Sequence, residues 1–473
     1  MNKKRAISAL ALLLTLSMPA FSHQNDLFKT QFQMPSTLMA KVQFKNYKTG
    51  MWKLNKLHLD VAGVDIKNNS ADVLINEAEL KKLESLGFNV SVTMTNSLMR
   101  GPDPQYKNPA EIEALLNEFH NQYPELTQIK EVGKSLQGRS IWAIKISKEA
   151  AKHFASKPSV LFNGMHHARE VMGPEVALDI IQTLLEGYGK NSQITHWVDS
   201  NEIWVLPMFN VDGNNIVWSN NSMWRKNARE DYGVDINRNY PYAWGSCNGS
   251  SGSKFAQDYR GASPASEPET NVMMNLVKEI RPVFDISYHS YSELVIYPMG
   301  CEGKRTQNSD VVETIGKEMG QLLKYRPGTA WETLYSVDGG DIDWMYATYQ
   351  VIPYVIEVNS SSEGFQPDFI KRQPTVERNR LGWQHLLNRL DGPGIRGTVT
   401  NNGKALREFF VNVQKKTGTE FIDYMNYRGN SDGSYHIVLN AGEYRLNLTG
   451  PSIQNISKEI TVGQTRSLLN FDL

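Results

Sequence analysis

The stretch SVLFNGMHHARE, residues 159–170, decides how the chain is read. Its first six residues form a short apolar run of the kind found in strands buried on both faces of a sheet. If SVLFNG is such a strand, His167 and Glu170 follow its carboxyl end, where open α/β sheets place their ligands. A histidine and a carboxylate at this spacing can turn toward one ion in a tight loop, although the pair alone is equally consistent with a polar surface loop. Catalytic zinc commonly takes three protein ligands and keeps one position open. His289 is the candidate for the third, because it ends another apolar run, VFDISYH (283–289); a satisfied core histidine is the plainer alternative. His166 could compete with His167, but neighbours on an extended segment point opposite ways, so only one is expected to face a metal. Two histidines and one glutamate suit a single zinc ion.

Glu357 closes a further apolar run, IPYVIEV (352–358). A carboxylate is costly to bury there unless it is paired or serves chemistry. A structural ion pair is one reading; the other is general acid/base work, taking a proton from the attacking water and passing it to a leaving amine.

Outward from these residues, the segment from about Tyr106 to Leu390 alternates strand-like and helix-like runs. SIWAIKIS (140–147) and NEIWVLPM (201–208) join the three runs above as strands, while EVALDIIQTLLEGY (175–188), VVETIGKEMGQLLKY (311–325) and TVERNRLGWQHLLNRL (375–390) carry helical periodicity. This alternation predicts an α/β domain with a largely parallel or mixed sheet. Before it, residues 23–105 read as a small separate unit. ADVLINEAELKKLESLGFNVSVTM (71–94) shows strand-like ends around a helix with Leu80, Leu83 and Leu86 at helical spacing. Gly101, Pro102 and Pro104 then mark a linker just after Arg100, a basic residue open to a protease. After DGPG (391–394), residues 392–473 show short alternating runs such as FFVNVQKK, GSYHIVLN and EYRLNLTG between Gly, Asn and Asp turns, the pattern of a small β-sandwich.

A length of 473 residues suits two or three folded units. Lysine plus arginine balance aspartate plus glutamate at 50 each, which gives no reason to expect nucleic acid as a partner. The N-terminus reads as an export signal over residues 1–22: basic MNKKR, the apolar AISALALLLTL, then small residues in MPAFS. No later stretch approaches the roughly 20 apolar residues of a transmembrane helix, so the chain is expected to be secreted or periplasmic. Only Cys247 and Cys301 are present, which excludes a disulfide-rich scaffold and a cysteine zinc site. In an oxidising compartment the two can pair, stabilising the fold by roughly 4 kcal/mol on the chain-entropy model; two separate buried thiols is the other reading.

GMHHAREVMGPE (164–175), MWRKNAR (223–229), GVDINRNY (233–240), SYHSYSELVIYPMG (287–300), LYSVDGGDIDWMY (334–346) and IPYVIEV come in the order and approximate spacing of the zinc metallocarboxypeptidases. The chain thus resembles the family of pancreatic carboxypeptidases A and B and bacterial carboxypeptidase T. The resemblance covers about 106–390 and implies a mixed eight-stranded sheet flanked by helices. It implies His167, Glu170 and His289 as zinc ligands, Glu357 as general base, and Arg225 as the cation that stabilises the oxyanion. It implies Asn237 and Arg238 as the clamp for the substrate's terminal carboxylate and Tyr335 as a mobile cap. Arg169 and Tyr291 match residues lining more distant subsites. Counting from Tyr335, Ile342 falls where A-like enzymes carry an apolar pocket floor, with Asp341 expected at its margin or in solvent. Aromatic and large aliphatic C-terminal residues are then expected to leave fastest, with slower release of basic ones. Val211 departs from the family, which commonly has proline in that turn. Residues 23–105 resemble the family's inhibitory propeptide in pattern, and 392–473 its transthyretin-like, carboxypeptidase regulatory-like domains, whose partner the sequence does not name.

Three functions follow: a secreted zinc carboxypeptidase acting on peptide or protein C-termini, a hydrolase of peptidoglycan stem peptides or other specialised amides, and an inactive binding protein. The full set of ligands, base and clamp favours the first.

Overall fold

The runs around SVLFNG form the middle of one eight-stranded mixed sheet. The computed structural model describes residues 37–95, 101–451, 453–454 and 456–473; the export signal and Arg100 lie outside them. Sheet order, from one edge to the other, is Arg326–Thr329, Leu294–Tyr297, Ile352–Val358, Phe284–Ser290, Ser159–Gly164, Glu202–Leu206, Ser140–Ile146 and Thr127–Lys134. The central strands Ile352–Val358, Phe284–Ser290, Ser159–Gly164 and Glu202–Leu206 run parallel to one another. Every residue of Ser159–Gly164 and Phe284–Ser290 is buried, as expected for strands covered on both faces. Helices Met172–Gly187, Ser309–Leu323 and Arg372–Arg389 pack on the sheet and on one another, and Trp383, fully buried, meets the rings of Phe162 and Trp197 edge-on. Among the described residues no helix is long and apolar enough to cross a membrane.

The N-terminal part is a four-stranded antiparallel layer in the order Asp60–Asp65, Ser70–Ile75, Leu38–Gln43, Asn89–Thr95, with helices Tyr47–Asn55 and Glu77–Ser85. The second helix starts at a reciprocal cap between Asn76 and Glu79. It stops at Ser85, one residue before Leu86: Gly87 adopts φ +79° and Leu86 is left 55% exposed at the C-cap. The layer packs its apolar face on the main domain. Ala40, Val42, Val64 and Val73 share one apolar cluster with Leu294, Ile296, Ile342 and Val355 of the main domain. Burying the face of a small sheet against a larger one supplies apolar area that about 60 residues cannot supply alone.

Beyond the helix ending at Arg389, strands from Gly394 onward build two facing sheets around Val399, Val411, Tyr435 and Leu446. Their docking onto the main domain is largely polar. His153 Nδ1 lies 3.1 Å from Glu202 Oε1, and its Nε2 lies 2.9 Å from Asp432 Oδ2. The two carboxylates, Asp432 first, raise the imidazole to about 10. That contribution to stability is complete below the unfolded value near 6.5 and is lost as pH rises through about 10. His153→Ala is therefore expected to melt below the parent at pH 6, with the gap closing by pH 10.5. Parallel thermal scans check this, and a gap independent of pH would contradict it.

Candidate active site

The sheet places the chemistry by register. Glu357 stands opposite His289 on the neighbouring parallel strand, and Gly164, at the end of the next strand, stands opposite Tyr288. Met165 then turns through φ +66°, its carbonyl accepting from the Asn210 amide at 3.0 Å. This turn separates the two histidines. His166 is buried, 3.2 Å from Ser287 Oγ through Nδ1 and 3.1 Å from the Tyr240 hydroxyl through Nε2, and burial pushes it down to about 4, leaving it neutral. His167 faces the cleft.

His167, Glu170 and His289 converge there with all three side chains buried. His167 Nδ1 lies 2.8 Å from Glu170 Oε1, His289 Nδ1 lies 3.0 Å from Glu170 Oε2, and the two Nδ1 atoms are 3.1 Å apart. Tetrahedral coordination at zinc–nitrogen distances of 2.0–2.1 Å needs ligand atoms roughly 3.3 Å apart, so the donor set fits one zinc ion with shifts of a few tenths of an ångström. Burial disfavours the charge on Glu170, yet the adjacent histidines outweigh it and hold the carboxyl below its usual range. The far nitrogens of the two rings are approached from behind. His289 Nε2 lies 3.2 Å from Ser287 Oγ, an outer contact of the kind that fixes a ligating imidazole, and His167 Nε2 lies 3.3 Å from Asp235 Oδ1, within ion-pair distance but outside hydrogen-bond geometry. The sequence reading missed both. Ser287 could have been found from the period of two that puts it on the same strand face as His289; Asp235 has no such signal.

Glu357 lines the same cleft, and burial pushes it up to about 8 against the opposing pull of His289. A dication in the triad would bring it down from there. Arg225 donates to Asp235 Oδ2 through Nε at 3.2 Å and Nη2 at 2.8 Å, and its Nη1 lies 3.9 Å from Glu170 Oε1. Burial works against both charges of this pair, but the arginine, ahead of His167 and Arg238, holds Asp235 well below the carboxylate range. Asn237 Oδ1 accepts from the Asp341 amide at 2.9 Å, and Arg238 Nε donates to the Gly249 carbonyl at 3.0 Å. Asn237, Arg238, Tyr335, Asp341 and Ile342 all line the cleft with the triad.

One expectation is corrected. Asp341 is neither marginal nor in solvent: its side chain is buried inside the cleft beside Ile342, and neither carboxylate oxygen has a hydrogen-bond partner. Asp341 begins helix Asp341–Tyr349, so its direction follows the helix start and not the alternation of an extended segment. His166 Nε2 lies 3.5 Å from Asp341 Oδ2, and burial disfavours a charge on that imidazole.

Arg169 and Tyr291 are both held by the N-terminal layer. Arg169 grips Asp60 with two bonds of 2.6 and 2.7 Å and stacks over Phe365, while the Tyr291 hydroxyl donates to Asp72 at 3.3 Å. Gly63 packs directly under the Tyr291 ring, where any Cβ would overlap it. With Val61, Ala62 and Gly63 as its outer wall, the cleft encloses about 70 Å³. Cys247 and Cys301 form a disulfide with Cα atoms 5.9 Å apart, which settles the two cysteine readings in favour of pairing. At the non-proline turn, the Asn210 side chain accepts from Gly213 N at 3.0 Å and caps helix Val211–Ser219.

Comparison with known proteins agrees with this geometry. Residues 112–382 match the model of the zinc carboxypeptidase family. The chain is 33% identical to a zinc carboxypeptidase of Saccharothrix mutabilis subsp. capreolus over 67% of its own length and 76% of the relative's. It is 26% identical to carboxypeptidase B of Bos taurus over 60% of its length and 70% of the relative's. The crystal structure of carboxypeptidase A from Helicoverpa armigera superposes with a TM-score of 0.65 at 23% identity, covering 74% of this chain and 98% of that one, a likeness that speaks to the fold. The protein with His167, Glu170 and His289 at the ends of its central strands belongs to the zinc carboxypeptidase family and is a metallocarboxypeptidase.

Proposed function

We propose that this protein is an exported carboxypeptidase, made as a zymogen, that releases single hydrophobic, aromatic or basic residues from peptide C-termini. The observation that carries the reading is one cleft holding the triad, Glu357, Arg225 and the Asn237–Arg238 pair together. A zinc ion bound by the triad supplies Lewis acidity toward the scissile carbonyl and the attacking water. Glu357, raised toward neutrality by burial, accepts the water's proton and returns it to the departing amine. Arg225, fixed by Asp235, presents a cation where negative charge develops on the carbonyl oxygen. Arg238, with Asn237 beside it, receives the terminal carboxylate, a task that suits a planar guanidinium, and Tyr335 closes over the bound residue. An endopeptidase has no use for such a clamp.

Two features of the pocket bear on the released side chain. Ile296, Ile342 and Val355 give it an apolar wall suited to aromatic and aliphatic groups, and the bare carboxylate of Asp341 suits lysine or arginine. Asp341→Asn is expected to lower kcat/KM for C-terminal arginine about 50-fold, from the loss of a charged bond worth roughly 2–3 kcal/mol, while C-terminal phenylalanine stays within a few-fold. The assay is a panel of blocked dipeptides ending in L- or D-residues, free or amidated, with and without a zinc chelator. Equal cleavage of free and amidated substrates would end the exopeptidase reading, and preference for D-residues would favour peptidoglycan. Residues 392–473 we take as an accessory sandwich whose partner is undefined.

A further inference from the structure

The segment that carries Tyr335 and Asp341 is fastened to the loop behind Arg238 through one side chain. Asp338 is fully buried and pairs with no cation among the described residues. Its carboxylate instead takes four donors from a single loop. Oδ1 accepts from Gly245 N at 3.2 Å and from the Ser250 hydroxyl; Oδ2 accepts from Cys247 N at 3.0 Å and Gly249 N at 2.9 Å. A buried carboxylate collecting converging amides fixes the backbone that supplies them. Here that backbone includes Gly249, whose carbonyl accepts from Arg238 Nε at 3.0 Å, while Arg238 Nη1 donates to the Asn237 carbonyl at 2.8 Å. Arg238 Nη2 has no protein acceptor among the described residues, so the guanidinium is anchored on one side and open on the other. Gly249 lies against the Val337–Asp338 backbone so closely that a Cβ would collide with it. The Cys247–Cys301 bridge ties the same loop to the Gly300 turn, whose carbonyl accepts from Val337 N at 3.2 Å.

We infer that Asp338 is a positioning residue that aims Arg238, acting through the Gly249 carbonyl, and keeps this clamp in register with the pocket wall three residues on at Asp341. The inference rests on the reading of Arg238 as the receiver of the substrate carboxylate. A side chain that only stabilised the fold would change the amount of active enzyme, and hence apparent kcat. A side chain that aims the clamp changes KM for substrates that have a free carboxylate.

The test uses the processed, zinc-loaded enzyme with free and amidated substrates, comparing Asp338→Ala, Asp338→Asn, Arg238→Ala and the double variant Arg238→Ala/Asp338→Ala. Expected for Asp338→Ala is a KM about 20-fold higher for free-carboxylate substrates, kcat within about threefold, and unchanged values for amidated ones. Asp338→Asn, which keeps one acceptor oxygen, should lie between it and the parent. The double variant should be no worse in KM than Arg238→Ala, since contacts acting in series are not additive. Equal effects on free and amidated substrates, a loss confined to kcat, or additive KM losses would overturn the inference. If Asp338→Ala does not fold, Asp338→Asn carries the same comparison through its own double variant. If Arg238→Ala itself leaves KM for free-carboxylate substrates unchanged, the clamp reading fails first; if only the Asp338 variants leave it unchanged, the clamp stands and this inference falls.

Discussion

Glu357→Gln is expected to retain one zinc per chain and to lose about 10⁴-fold in kcat. The ligand atoms of His167, Glu170 and His289 are untouched by the change, and the backbone of residue 357 stays in its ladder opposite His289. What disappears is a buried carboxylate that lines the cleft with the triad without belonging to it. General acid/base transfer by a positioned side chain contributes typically 10²–10⁴-fold, and here one group would serve both water and leaving amine, so the upper end applies. An amide of the same shape cannot accept the proton. Metal analysis of the purified variant and turnover on a blocked dipeptide are the two measurements. Near-normal turnover in a zinc-loaded variant would remove Glu357 from the mechanism.

The second large effect is expected on releasing the N-terminal layer. A chain still carrying residues 37–95 should turn over about 10³-fold more slowly than one cut between about 95 and 110. In the uncut chain Arg169 is committed to Asp60 and Tyr291 to Asp72. The 70 Å³ left in the cleft is about half the roughly 150 Å³ that admits a benzene ring. On the zymogen reading, this narrowness is what keeps a residue to be released out while the layer is seated. Removing one partner of a buried ion pair costs roughly 3–5 kcal/mol, so Asp60→Ala should loosen the layer and raise the basal rate of the uncut chain. Limited proteolysis followed by N-terminal sequencing and assay checks both statements. Full activity with the layer attached would refute the zymogen reading, and an Asp60→Ala chain as silent as its parent would show that this ion pair does not hold the layer.

The central strands and three long helices were legible because burial on both faces writes an apolar run, and burial on one face writes a helical period. SVLFNG, VFDISYH and IPYVIEV are of the first kind, and each delivered a ligand or the base at its end. The edges were not legible. Strand Glu420–Arg428 is offset by a bulge against its neighbour at Val413/Gln414, and its buried/exposed alternation is confined to Met425–Arg428, too short a run to read. Tyr47–Asn55 was missed for a related reason: only Tyr47, Met51 and Leu54 are buried in a short helix that leaves Trp52 exposed and blurs the period. Asp341 was misplaced because its surroundings are set by the helix it starts and by His166, residues distant in sequence that no local pattern connects. Asp60 and Asp72 were not singled out at all, since an ion pair or hydrogen bond across more than 100 residues leaves no trace in either segment alone.

The pairing of Glu357 with His289 across one ladder has a consequence for how this protein can diverge. Strand registers change only in whole steps, and a single step turns every side chain to the opposite face. The distance between metal ligand and base therefore cannot drift by small substitutions; it is kept or it is lost outright. On the reading proposed above, three of the residues that choose what is released, Tyr335, Asp341 and Ile342, lie outside this ladder, on a segment that Asp338 fastens to the 245–250 loop. On that reading, exchanging residues 335–343 and 245–250 between relatives is expected to shift which residue is released while leaving the ligand-to-base spacing of the ladder in place.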